Sequence, residues 1–110
     1  MSEAAAQVSG QAASSQLLVL PGELTQRDAA GCLRMLVQTL KRGGREPVLL
    51  DAAALTRFDS SALAVMLALR REALALGLVF AVRGLHPRLA GLAGLYGIAQ
   101  LLPAESPAAP

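Results

Sequence analysis

Four consecutive residues, Phe58-Asp59-Ser60-Ser61, place a carboxylate and two hydroxyls between a strand-like run and a helix-like run. Upstream stands Val48-Leu49-Leu50-Asp51, bounded by Pro47; downstream, Ala62 to Leu69 is apolar without a break until Arg70-Arg71-Glu72. The Asp59 carboxylate suits a helix start, because it accepts from a first-turn amide that has no partner within the helix. Ser60 then falls where free N–H groups and the helix dipole favour negative charge, so a phosphate added there is locally tolerated. Three roles are open to that hydroxyl: helix cap, contact with a partner, or phosphorylation switch.

Other chemistries find too few groups. Nucleophilic catalysis needs a base beside the hydroxyl, yet Ser60 has no Gly-x-Ser-x-Gly elbow and the single histidine, His86, precedes Pro87 at a helix start. One cysteine and one histidine leave too few nitrogen and sulfur ligands for a metal site. Gly43-Gly44-Arg45-Glu46-Pro47 lacks Gly-Lys-Ser/Thr and follows a helix, so it is no phosphate loop. No catalytic residue, cofactor or metal is expected, and the chain reads as a non-enzyme.

The elements that must position Ser60 follow from apolar spacing. Leu17-Leu18-Val19-Leu20 reads as a strand broken at Pro21-Gly22, with Glu23-Leu24 as a short extension. Thr25 caps a helix with Asp28 three residues on, and Ala29, Cys32, Leu33, Leu36 and Leu40 form its apolar stripe. Lys41 and Arg42 suit the negative helix end, and Gly43-Gly44 stops it. Cys32 on that stripe is a core thiol, with a redox sensor as the alternative. After the Val48 strand come a helix from about Ser60 to Leu76, closed by Gly77, and a strand over Leu78 to Val82. Pro87 opens a third helix carrying Leu89, Leu92, Ala93 and Tyr96, Gly97 closes it, and Gln100-Leu101-Leu102 is a candidate edge strand.

Strands apolar on both faces and alternating with helices predict an α/β fold, a mixed sheet of about four to five strands with helices mainly on one face. Binding positions in such sheets lie beyond the carboxyl ends of strands, where Asp59 and Ser60 fall. At 110 residues the chain has room for one core, placed at 16–102 between a disordered arm over 1–15 and a Pro/Ala tail over 103–110. Hydrophobic content of 54% with only 3% aromatics makes Leu and Ala the core fillers. A net charge of +2 without a basic stripe argues against nucleic acid. No apolar run approaches the roughly 20 residues that span a bilayer, and a lone cysteine suits a reducing compartment, so a cytoplasmic location is expected.

The helix after Ser60 has no polar face in its first two turns: Leu63, Val65, Met66, Leu67 and Leu69 cover every side. Either both flanks are buried within the domain, or one, through Ala62 or Met66, is an exposed apolar patch for a partner. The small size of the domain favours the patch, giving Asp59, Ser60, Ser61, Ala62, Leu63 and Met66 as the expected partner-binding set.

Leu20-Pro21-Gly22-Glu23-Leu24 is similar to the opening Gly-Glu-Leu-Asp of STAS domains, the fold of bacterial anti-sigma-factor antagonists. Val48 to Asp51 followed by Phe58 to Leu63 resembles that family's strand, Asp-Ser-Ser-Gly-Leu turn and second helix. Leu20 to Gln26, Leu92 to Ile98, and Leu101-Leu102-Pro103 look more particularly like the STAS subunit of the Mla phospholipid-transport ABC system. In that branch the turn typically reads Asp-Thr-Gly-Gly-Leu, so Ser60 takes the threonine position. Ser61 and Ala62 stand in place of glycines, and Thr25 where an aspartate is usual. The resemblance implies a non-catalytic accessory subunit docked on the ATPase of an inner-membrane complex that maintains outer-membrane lipid asymmetry. Contact with the membrane would be indirect, through the complex. The alternative is an antagonist whose Ser60 is phosphorylated by an anti-sigma-factor kinase.

Overall fold

In the computed structural model, which describes residues 15–105, strands and helices alternate as the apolar spacing predicts. They are β1 (Gln16–Val19), β2 (Glu23–Leu24), α1 (Gln26–Arg42), β3 (Val48–Asp51), β4 (Arg57–Phe58), α2 (Ser61–Ala75), β5 (Phe80–Arg83) and α3 (Pro87–Leu95), then a 3-10 turn at Ala99–Leu101. Strands β1, β3 and β5 form a parallel sheet in the order β1-β3-β5, with Leu18 beside Leu50 and Leu50 beside Val82. A second parallel pair joins β2 to β4. The two sheets are linked at their junction, where Leu20 N donates to Asp51 O and Thr56 N to Gly22 O, both at 2.9 Å.

One face of the larger sheet carries the core. Leu18, Leu20, Val48, Leu50, Phe80 and Val82 pack with Cys32, Leu36 and Leu40 of α1, with α2, and with Leu89 and Ala93 of α3. On the other face Leu17 and Val19 are about half exposed, so the helices lie on one side, as expected. Cys32 is buried as its stripe position predicts, and burial pushes its thiol pKa up, with the Asp28 carboxylate adding to the effect.

Local signals explain most element ends. At the start of α1 the Asp28 carboxylate accepts from Thr25 N at 3.2 Å and from Thr25 Oγ1 at 3.1 Å. Gly77, at φ +76°, takes the left-handed backbone after α2, and Leu78 N donates back to Ala73 O at 2.9 Å. Pro87 occupies the first turn of α3.

Three expectations need correction. The 52–58 connection contains β4, whose two residues carry no periodic pattern to read. Gln100-Leu101-Leu102 is not a strand: Ala99–Leu101 turns as a 3-10 helix. The edge pairing comes just beyond it, with Val82 N donating to Pro103 O at 2.8 Å and Glu105 N to Val82 O at 2.9 Å. Residues 103–105, expected as part of the tail, therefore join the sheet. The arm over 1–14 and the rest of the tail lie outside the described residues.

Candidate functional site

The turn at 59–61 is built around one carboxylate. Asp59 Oδ1 accepts from Ser61 N at 2.8 Å, the first-turn amide that the sequence assigns to it. Its other oxygen, Oδ2, accepts from Gln26 N at 3.0 Å, at the start of α1. A single side chain thus caps two helices whose N-termini converge. The Gln26 bond first, then the Ser61 bond, holds the Asp59 carboxyl below the usual carboxylate range. The next two amides are also taken: Ala62 N donates to Asp59 O and Leu63 N to Ser60 O, both at 3.1 Å. The start of α2 therefore offers an incoming anion fewer free N–H groups than the sequence suggests.

Ser60 is exposed, with helical backbone angles, and its side chain makes no cap hydrogen bond. Of the three roles open to the hydroxyl, capping is excluded in this arrangement, because Asp59 performs it. Ser61 is half-buried beside it.

Ala62, Leu63 and Met66 are not part of any surface. Met66 and Ala62 are 0% exposed and Leu63 only 2%. The reason is that α2 packs against both α1 and the sheet, so the helix has little free circumference. Both flanks are consumed by the core, and the expected apolar patch on this helix does not exist.

An apolar surface does adjoin the turn, but α3 supplies it. A cleft of about 400 Å3 is lined by Phe58, Asp59, Arg88, Gly91, Leu92 and Leu95. The Arg88 guanidinium lies 5.0 Å from the centroid of the Phe58 ring, and His86 meets the same ring edge-on at 5.1 Å. His86 Nδ1 accepts from Arg88 N at 3.0 Å, so the histidine expected at a helix start caps α3. Leu95 is 79% exposed at the cleft rim, and Tyr96, placed on the buried stripe by its spacing, is instead exposed. Sequence reasoning missed Phe58, Arg88, Gly91, Leu92 and Leu95 as site residues. The available signal was Leu95 itself, a leucine that falls off the Leu89–Ala93 stripe.

A family model described as Mlab, STAS domain, matches residues 8–103. The chain belongs to the STAS family. The match begins inside the segment expected as an arm and ends at the residue whose carbonyl pairs with Val82. No curated protein matches the chain. In this STAS domain the 59–61 turn sits beyond the carboxyl end of β4, where α/β architectures favour binding positions.

Two further features bound the chemistry. A larger cavity of about 580 Å3, lined in part by Val82, Gly84, Ala90 and Ala93, lies apart from the turn. Its charged groups are Arg83 and Glu105, and Arg83 is already bonded to Asp51 at 3.2 Å. Among the described residues, no three His, Cys, Asp or Glu side chains are grouped to hold a metal, and no helix is long and apolar enough to cross a membrane.

Proposed function

We propose that this STAS domain is a non-catalytic accessory subunit that docks on the ATPase of an inner-membrane ABC phospholipid transporter, of the kind that maintains outer-membrane lipid asymmetry. The observation that carries the reading is the uncommitted, exposed Ser60 hydroxyl beside a cleft rimmed by an exposed leucine. That combination suits a contact face: a hydrogen-bonding group next to an apolar anchor and an arginine. The family description supports the Mla branch in particular. The docking set is accordingly Asp59, Ser60, Ser61, Arg88, Leu92 and Leu95, with Asp59 shaping the turn.

The antagonist reading rests on the same exposed hydroxyl. A phosphate on Ser60 adds roughly −1.5 to −2 charge at neutral pH. Here it would sit next to the Asp59 carboxylate, which already holds the Ser61 amide that a phosphate would use. This weighs for contact over switching.

Copurification with the ATPase is the test. Ser60→Ala should weaken docking by about 0.5–1.5 kcal/mol, the net value of one hydrogen bond. Leu95→Ser should weaken it more, because a leucine anchor buried on binding contributes about 1.5–3 kcal/mol. Ser60→Glu should abolish it, through an unpaired charge in an apolar contact. If all three variants copurify like wild type, the site is wrong. If Ser60→Ala strengthens partner engagement, the antagonist reading replaces this one.

A further inference from the structure

The cavity of about 580 Å3 lies at the carboxyl end of β5, whose last residue, Arg83, forms part of its wall. Parallel α/β sheets place ligands in crevices at that end of their strands. The volume also falls within the roughly 300–1,000 Å3 of small-molecule sites. Gly84, Ala90, Ala93, Ala99 and Ala104 make much of the remaining wall, so small side chains leave the space open between β5, α3 and the 103–105 edge. Helix α3 separates this cavity from the cleft beside the Asp59 turn: Ala90 and Ala93 line the one, Gly91, Leu92 and Leu95 the other.

Two opposite charges stand in the otherwise apolar wall, and neither is fully used. Arg83 Nη2 donates to Asp51 Oδ2 at 3.2 Å, but Nη1 only approaches Glu105 Oε2, at 4.0 Å. That distance exceeds a hydrogen bond, so among the described residues Nη1 and the Glu105 carboxylate have no hydrogen-bond partner. The two side chains are 42% and 45% exposed, which leaves both free to meet a ligand. Charge then selects among ligands. A simple carboxylate on Arg83 would lie beside Glu105 and Asp51, and a simple amine on Glu105 would lie beside Arg83. Either arrangement sets like charges together. A neutral ligand would leave both charged groups without a new partner.

We propose that this cavity binds a free α-amino acid with a large apolar side chain. Its carboxylate and ammonium are one carbon apart, a span that suits two opposite charges 4.0 Å from each other. The carboxylate accepts from Arg83 Nη1, the ammonium donates to Glu105, and the side chain fills the space between the alanines of α3 and Ala104. The inference does not depend on the docking reading, since the two sites lie on different faces of α3, and either can fail alone.

The test is an NMR titration of the full chain with L-phenylalanine, 3-phenylpropionate, phenethylamine and glycine. L-Phenylalanine should shift the amides of Gly84, Ala90 and Glu105 saturably. The phenyl compounds that lack the ammonium or the carboxylate should each bind roughly tenfold more weakly, the worth of one charge-assisted hydrogen bond at a half-open site. Glycine, without an apolar body, should give no saturable shift. Glu105→Gln should weaken L-phenylalanine roughly tenfold without weakening 3-phenylpropionate. Ala90→Leu, at an exposed helix position, should block L-phenylalanine at an unchanged melting temperature. The absence of saturable shifts with L-phenylalanine overturns the proposal, as does equal affinity for glycine or for either single-charge compound. Wild-type affinity for L-phenylalanine in either variant overturns it as well.

Discussion

Replacing Met66 by alanine tests whether the start of α2 is core or contact. The side chain is wholly buried, in one cluster with Ala62, Leu63, Leu69 and Leu20. Truncation removes the thioether and its terminal methyl and leaves a cavity that the close-packed helix cannot refill, since α2 is held by α1 and by the sheet. Buried Met→Ala substitutions cost about 2–5 kcal/mol, and the neighbouring flexible leucines favour the lower half, about 2–3 kcal/mol. A domain of this size loses about 4–8 °C of melting temperature per kcal/mol, so a drop of roughly 10–20 °C is expected. Urea titration followed by circular dichroism should give a lower midpoint at unchanged slope. Ser60→Ala in the same assay should stay within about 0.5 kcal/mol of wild type, as exposed substitutions do. A Met66→Ala protein that melts like wild type but no longer binds its partner would refute the core assignment and restore the apolar patch on α2.

Further outcomes follow from the same geometry. Gly84 sits at φ +71°, and a Cβ there would lie within 3.0 Å of Ala53. Gly84→Ala should therefore cost about 1–2 kcal/mol for the left-handed backbone and about 1–3 kcal/mol for the clash, measured by urea titration. Cys32, buried with its pKa raised, should react with a thiol reagent only slowly without denaturant; immediate stoichiometric labelling would mean that α1 is loosely docked. Asp59, with its folded-state pKa lowered, stabilises the fold at neutral pH, and that stabilisation disappears as pH falls through the lowered value. The stability gap between wild type and Asp59→Asn should accordingly narrow on acidification below the usual carboxylate range, and a gap independent of pH would contradict the double cap.

Much of this was legible in the residues because it is local. Thr25 with Asp28, Pro87, Gly77 and the apolar runs that open the Val48 and Phe80 strands each announce an element within a few positions. What escaped depends on partners distant in sequence. The second bond of Asp59 reaches Gln26, 33 positions earlier, and nothing near Asp59 encodes it. The first turns of α2 suggest an exposed patch because an all-round apolar helix with a free flank and a fully buried one have the same pattern. Only the packing of α1 and the sheet around α2 decides between them. Leu95 is hidden in the sequence for a related reason: helical spacing identifies the buried stripe well but does not say which off-stripe leucine borders a cleft.

Among the described residues every strand pairing is parallel, and this has a consequence for how the chain folds. Gln16 pairs with Val48, and Val48 with Phe80, 32 positions apart in each case. Parallel neighbours cannot be joined by a tight hairpin, so each pairing waits for a complete helical crossover. The entropy of closing these long loops is spent before any rung rewards it, which places the domain among slow-folding topologies for its length. Order of synthesis sharpens the point. The central strand β3 emerges with only β1 as a neighbour, and its second edge stays bare until β5 follows. The outermost rung, from Val82 to Pro103 and Glu105, forms last of all. Until then the nascent chain presents an open strand edge of Val, Leu and Leu, and that interval is when it is most exposed to pairing with another chain.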